Sequence, residues 1–274
     1  MKPRSIIFTL FGDYLRYCGA GEARLSSLTE LLGLFGIEPG TTRVVMTRLR
    51  KEGWFETMKV GREVSYVLSR RGWDLLDEGR ERIFRHPHTD WNGQWSMVLV
   101  KFPESQRADR EGTRKDLAWL GYGQLTPSTW MSPHDRLGAA RSILADRPVL
   151  SLDLLYCRSL GAEDDRSIAA RCWNLDDLQQ DYASFVKRFS EIPPLTGITA
   201  LEARVRLTDE YRHFPFRDPD LPQELLPAGW VGQKTHYVFR DAHLRLAAEA
   251  KAEVERITGL PVLLDPVAAE LFSS

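Results

Sequence analysis

The chain has 274 residues, 43% of them apolar and 10% aromatic, with a formal net charge of −1. That length supports two or three domains with real cores, and the near-neutral total excludes a generic polyanion binder. The charge is uneven, however: residues 1–85 hold 15 Lys/Arg against 11 Asp/Glu and the rest hold 22 against 27, a basic front end on an acidic body.

In chain order, Ile6, Ile7, Leu10, Phe11, Tyr14 and Leu15 recur at helical spacing and predict an amphipathic helix over 5–17. Gly12 and Asp13 interrupt its apolar run and no small-residue cleavage site follows, so it does not read as a signal peptide. A second helix is expected in ARLSSLTELLGLFG, capped by Ser26 or Ser27 and ended by Gly36. A third is expected from about Thr41 to Glu52. WFETMKV and VSYVLS then change to the strand period, joined through Gly61–Glu63 as a hairpin with a basic tip. RRGWDLLDEGRERIFRH returns to helical spacing, and Pro87, Asn92 and Gly93 mark a boundary. The next stretch reads strand, helix, strand, strand, helix, strand, the order of a ferredoxin-like split β–α–β unit. From about Ala162 the pattern is mostly helical, with a proline-rich loop at FPFRDPDLPQELLPAGWVG and one long helix expected from Lys234 to Gly259. The expected fold class is α+β, in three parts: 1–87, 88–162 and 163–274.

Cys18, Cys157 and Cys172 are odd in number, far apart and in no CxxC pair, so neither a disulfide framework nor a zinc site is expected and a reducing, cytoplasmic setting fits. No stretch is apolar for long enough to cross a bilayer. No cofactor and no catalytic residue is expected. There is no GxSxG elbow. His86 and His88, near Asp90, read as an exposed linker pair rather than a metal site. Asp153 lacks the companion carboxylates that metal-assisted phosphodiester cleavage needs.

Three helices followed by a hairpin is the order of a winged helix-turn-helix, whose third helix enters the major groove. Thr42, Val45, Met46 and Leu49 fall at i, i+3, i+4 and i+7 and form an inward stripe. Thr41, Arg43, Val44, Thr47 and Arg48 lie outside it or on its flank, with Arg50 and Lys51 at the far end. Thr41 and Thr42 and the backbone N–H groups at the helix start can bond phosphate, and an arginine can take a guanine edge in bidentate fashion. Lys59 and Arg62 on the hairpin tip suit a neighbouring phosphate. The expected DNA contacts are therefore Thr41, Thr42, Arg43, Thr47, Arg48, Arg50, Lys59 and Arg62. The bland alternative is an ordinary solvated helix; against it, Arg43 to Arg71 holds eight basic and three acidic residues.

FTLFGDYLRY, RVVMTRLRKEGW and the downstream YRHFPFRDPDLPQELLPAGWVG resemble the PaaX family, repressors of phenylacetate catabolism. The resemblance runs along almost the whole chain, and its downstream stretch is the most specific. It implies an N-terminal winged helix, a central ferredoxin-like domain similar to Cas2 proteins and a helical C-terminal domain. It also implies a homodimer on an inverted-repeat operator in double-stranded DNA, released by an aryl-CoA thioester, typically phenylacetyl-CoA. Such an effector needs cations and an apolar slot. Arg212, His213, Arg217 and Trp230 are the expected residues, in a stretch that also holds Arg204, Arg206, Phe214 and Phe216. The structural alternative pairs Arg212 and Arg217 with Asp218 and Asp220 to hold the loop. Two rival functions stay open: a nucleic-acid-processing enzyme with a metal-dependent central domain, and a ligand-free architectural DNA binder.

Overall fold

The computed structural model describes residues 1–19, 21–60, 63–84 and 91–263. The hairpin tip at Gly61 and Arg62, and His86, His88 and Asp90 with most of the expected 86–93 linker, lie outside the described residues. The described chain is α+β, with many helices and two small sheets. Contacts group the chain into two compact units. The first joins Met1–His86 with Ser184–His213 and Gln233–Ser274; the second joins Pro87–Ala183 with Phe214–Gly232.

The first unit opens with α1 (Pro3–Asp13), β1 (Glu22–Arg24), α2 (Leu25–Gly33) and α3 (Pro39–Lys51). β2 (Phe55–Val60), β3 (Glu63–Leu68) and α4 (Arg70–Phe84) follow. The sheet order is β1-β3-β2, all antiparallel. Two details depart from the sequence reading. Ala23 and Arg24 pair with Tyr66 and Ser65 as a third strand, so α2 starts at Leu25 and neither Ser26 nor Ser27 caps it. Three residues are too few to show a strand period; only the partner strand makes them one. The third helix starts at Pro39, which occupies the first turn, where its fixed φ and missing N–H cost nothing.

The same unit contains α9 (Gly197–Tyr211), α10 (Gly232–Arg245, from Gln233 onward) and α11 (Ala247–Thr258). The expected single long helix is thus two, parted at Leu246. Leu201 and Val205 of α9 and Ala250, Val254 and Ile257 of α11 complete one core with Ile6, Ile7, Leu10 and Phe11 of α1. At ~1.5–3 kcal/mol per buried large apolar side chain, this shared core holds the N-terminal helices to helices that follow them by more than a hundred residues.

The second unit is built on β4 (Trp95–Lys101), α5 (Arg107–Trp119), β5 (Gly123–Thr126), β6 (Thr129–Ser132), α6 (Leu137–Leu144) and β7 (Ser151–Cys157). Its sheet order is β5-β6-β4-β7, antiparallel throughout, which is the expected split β–α–β arrangement. α7 (Ala162–Cys172) and the start of α8 (Leu175–Phe189) belong to it, the division falling inside α8 after Ala183. Trp95 is fully buried and its indole N–H donates to Asp165 Oδ1 at 2.7 Å.

Cys18 is buried and Cys157 and Cys172 are partly so. Burial pushes the Cys18 thiol up to about 11 and the Cys172 thiol up to about 12, and raises that of Cys157, so all three stay protonated near neutral pH. No helix among the described residues is long and apolar enough to cross a membrane.

Candidate nucleic-acid interface

The geometry of α3 begins with its two ends. Glu38 stands at the N-cap position without a side-chain cap, and the Thr42 N–H donates back to its carbonyl at 3.1 Å. At the far end Gly53 has φ +80°. Its N–H reaches the Arg50 carbonyl at 3.0 Å, and the Trp54 N–H reaches that of Leu49 at 3.0 Å. These two bonds are a Schellman stop, which requires a left-handed residue and so favours glycine. The chain then turns directly into β2, with Phe55 fully buried at 4.7 Å from the Phe11 ring and 5.9 Å from Phe8. A close approach fixes the next helix: a Cβ on Gly72 would lie 2.5 Å from the Trp54 carbonyl.

Thr42, Met46 and Leu49 are buried and Val45 partly so, as the inward stripe requires. Thr42 is therefore removed from the DNA-contact set. It is 0% exposed, and its hydroxyl turns onto the Glu38 carbonyl at 3.4 Å. Thr41, Arg43, Val44, Thr47, Arg48, Arg50 and Lys51 are all exposed. Lys59 is exposed on β2; Arg62 lies outside the described residues.

The cations of this face differ in what they hold. Arg48 Nε donates to Glu52 Oε1 at 2.8 Å, one turn on. Glu52 is also bonded by Arg4 and by the Trp54 indole at 3.1 Å. The hydrogen bonds from Arg4 and Arg48 hold its carboxyl down at about 2. Arg71 stacks over the Trp54 ring at 3.9 Å and donates to the Glu52 carbonyl at 3.0 Å, closing the end of α3. The side chains of Arg43, Arg50, Lys51 and Lys59 make no ion pair or hydrogen bond among the described residues, so their four charges stand uncompensated there.

A second constellation, missed by sequence reasoning, lies in the interior of the same unit. Arg204 of α9 is 1% exposed. It donates to the Tyr14 hydroxyl at 2.7 Å and to the His243 carbonyl at 3.1 Å, and meets His243 Nδ1 at 3.2 Å. A guanidinium only donates, so Nδ1 accepts and the ring proton sits on Nε2, which faces Asp13 Oδ2 at 3.5 Å. Thr208 donates to the same carboxylate at 3.2 Å. Burial by itself raises the Asp13 pKa, but the hydrogen bond from His243 and the charge of Arg204 outweigh it and hold the carboxyl below its ordinary range. The cluster ties the end of α1 to α9 and α10. Arg204 thus leaves the group of possible effector cations.

The expected effector residues do not fall in one unit. Arg212 and His213 belong to the first and Arg217 and Trp230 to the second. Arg212 bonds Asp209 at 3.1 Å and the Ser5 hydroxyl, again bracing α1. Arg217 pairs with Asp181 at 2.6 Å rather than with the aspartates of its own loop. Trp230 packs edge-on against Tyr182, ring centroids 5.6 Å apart. Asp153 is exposed on β7, opposite Leu99. Among the described residues no group of three or more His, Cys, Asp or Glu is placed to hold a metal ion.

Residues 2–72 match the family model of PaaX-like proteins, 88–169 that of the PaaX central Cas2-like domain, and 173–256 that of the PaaX-like C-terminal domain. The transcriptional repressor PaaX of Escherichia coli (strain K12) is 32% identical over 265 residues, covering 91% of this chain and 82% of that protein. Among solved structures, the uncharacterized protein Rv0674 from Mycobacterium tuberculosis aligns with a TM-score of 0.60 at 22% identity, over 84% of this chain and 91% of its own. That likeness bears on the fold alone.

Proposed function

This chain belongs to the PaaX family of transcriptional repressors, and we propose that it is a DNA-binding repressor whose reading head is a winged helix-turn-helix. α1, α2 and α3 are its three helices and β2–β3 its wing. The observation that carries this is the outer face of α3, where Arg43, Arg50 and Lys51 stand exposed, their side chains unpaired among the described residues, around Thr41, Val44 and Thr47, with Lys59 on the adjoining strand. Cations without protein partners can neutralise DNA phosphates and release the counterions condensed on them. With Thr42 withdrawn, the proposed contacts are Thr41, Arg43, Thr47, Arg48, Arg50, Lys59 and Arg62.

We take residues 1–87 as the reader, 88–162 as the Cas2-like middle and 163–274 as the body, working in the cytoplasm as a homodimer. Two readers of one dimer would meet half-sites about one helical turn, ~34 Å, or a multiple of it apart. An aryl-CoA thioester such as phenylacetyl-CoA is the proposed effector, with Arg217 and Trp230 of the second unit as its candidate contacts. Linkage requires reciprocity: operator must weaken effector binding by the factor by which effector weakens operator binding.

The test is a gel shift of the full-length protein on duplex upstream of its own gene against random duplex, with and without a panel of aryl-CoA thioesters. Retardation specific to the former and released by one thioester is expected. Equal retardation of both, unaffected by any thioester, removes the regulated repressor and leaves an architectural binder. Arg62→Ala should weaken specific and random binding about equally. The nuclease reading has only the exposed Asp153 in its favour, and cleavage with Mg²⁺ that Asp153→Asn abolishes would revive it.

A further inference from the structure

Val44 is 69% exposed, in the middle of an otherwise polar face. At ~100° per residue, Val44 lies about half a turn from Thr42, the residue at the centre of the buried stripe. Lys51 and Gly40 lie within ~40° of it on one side, with Thr47 at ~60° and Arg43 and Arg50 beyond at ~100–120°, and Arg48 and Thr41 lie ~40° and ~60° to the other side. A single exposed apolar side chain is ordinary on most surfaces. Here, though, a β-branched residue lowers helix propensity, and a bare apolar surface among arginines helps neither folding nor solubility.

We infer that Val44 points at the floor of the major groove and selects thymine through its 5-methyl group, while the arginines on either flank take the phosphates of the groove walls. The inference rests on the proposed placement of α3 in that groove. If a helix is held with its buried stripe toward the protein, the residue opposite that stripe goes deepest. Gly40 has no side chain to offer, and Lys51 stands at the far end. That leaves Val44 and Thr47 over the base edges. Of the groups exposed in the major groove, only the thymine methyl rewards an apolar side chain; guanine, adenine and cytosine present donors and acceptors there. Arg48, drawn toward Glu52 at 2.8 Å, is already turned along the helix rather than outward.

The test uses the full-length protein and removes one methyl at a time. Duplexes are first enriched from a random pool by the wild-type protein. Each thymine of the enriched half-site is then replaced singly by deoxyuridine, which keeps every hydrogen-bonding group and loses only the methyl. Wild type should lose affinity about fourfold at one or two positions, as burial of one methyl predicts. Val44→Ala, a change that favours the helix, should already bind the parent duplex about fourfold more weakly and should be indifferent to uracil at those same positions. Wild-type indifference to every uracil, or undiminished uracil sensitivity in Val44→Ala, overturns the inference. Arg43→Ala and Arg50→Ala separate its failure from that of the premise. If they weaken binding while uracil has no effect, α3 is in the groove but does not read methyls. If neither they nor Val44→Ala alter binding, or no duplex is enriched, the placement of α3 fails and the inference with it.

Discussion

Arg204 and Arg43 are the same side chain in the same unit, put to opposite uses. Arg204 on α9 is enclosed against α1 and α10, where each of its three guanidinium nitrogens meets an oxygen or nitrogen. Arg43 stands in solvent, its side chain without a partner among the described residues. An enclosed guanidinium must find its partners within the chain, because an unpaired buried charge costs several kcal/mol. An exposed one keeps its charge available, because water already solvates it and a surface ion pair adds at most about 1 kcal/mol. Burial, rather than residue type, separates a brace from a binding group.

The sharpest way to break this contrast is to truncate both arginines. Arg204→Met should destabilise the protein by ~3–5 kcal/mol, since it leaves Asp13 and His243 enclosed without their cation. Arg43→Ala should change stability by less than ~0.5 kcal/mol. Urea titration followed by tryptophan fluorescence measures both, and similar losses for the two would end the distinction. A smaller effect is expected from the carboxylate end of the cluster. The Asp13 pKa lies below its ordinary 3.8, so its contribution is present in full above that value and is lost as pH falls through the lower folded pKa. Asp13→Asn should cost ~2 kcal/mol at pH 6, and the gap to wild type should narrow toward pH 2. A gap that stays constant between those pH values would show that the carboxylate charge does not matter.

On the exposed side, Arg50→Ala should weaken DNA binding by ~1 kcal/mol and lower the slope of log affinity against log salt by about 1, with unfolding unchanged. The smallest effect is expected from Glu52→Gln. It releases Arg48 and Arg4 from their shared carboxylate and should raise affinity for random duplex by a fewfold, most visibly at low salt. An unchanged random affinity would mean that Glu52 does not restrain those cations.

Much of this arrangement is legible in residue order. The stripe of Met46 and Leu49, the glycine that ends α3, and the strand–helix–strand–strand–helix–strand pattern of the second unit are local signals, and each appears where expected, whereas α3 starts at Pro39, two residues ahead of the expected Thr41. β1 was not legible, because three residues become a strand only when β3 is beside them. Thr42 was readable as inward by spacing and as a phosphate ligand by chemistry, and spacing decided it. Arg204 stood in a run of arginines that read as one cationic group. Its spacing of three from Leu201 and four from Thr208 places it on the buried face of α9, a signal that the abundance of charge obscured.

The sequence by itself determined most of the elements, their order and the outward cationic face of α3, because periodicity and capping act over a few residues. It also carried the resemblance to the PaaX family. Only the tertiary structure decided that α9 and α11 finish the core around α1, and that Arg212 and Arg217 belong to different units. It alone showed that a carboxylate at residue 13 is answered by residues 204, 208 and 243. Burial is a property of contacts between distant segments, and no local pattern reports which distant segment will close over a given charge.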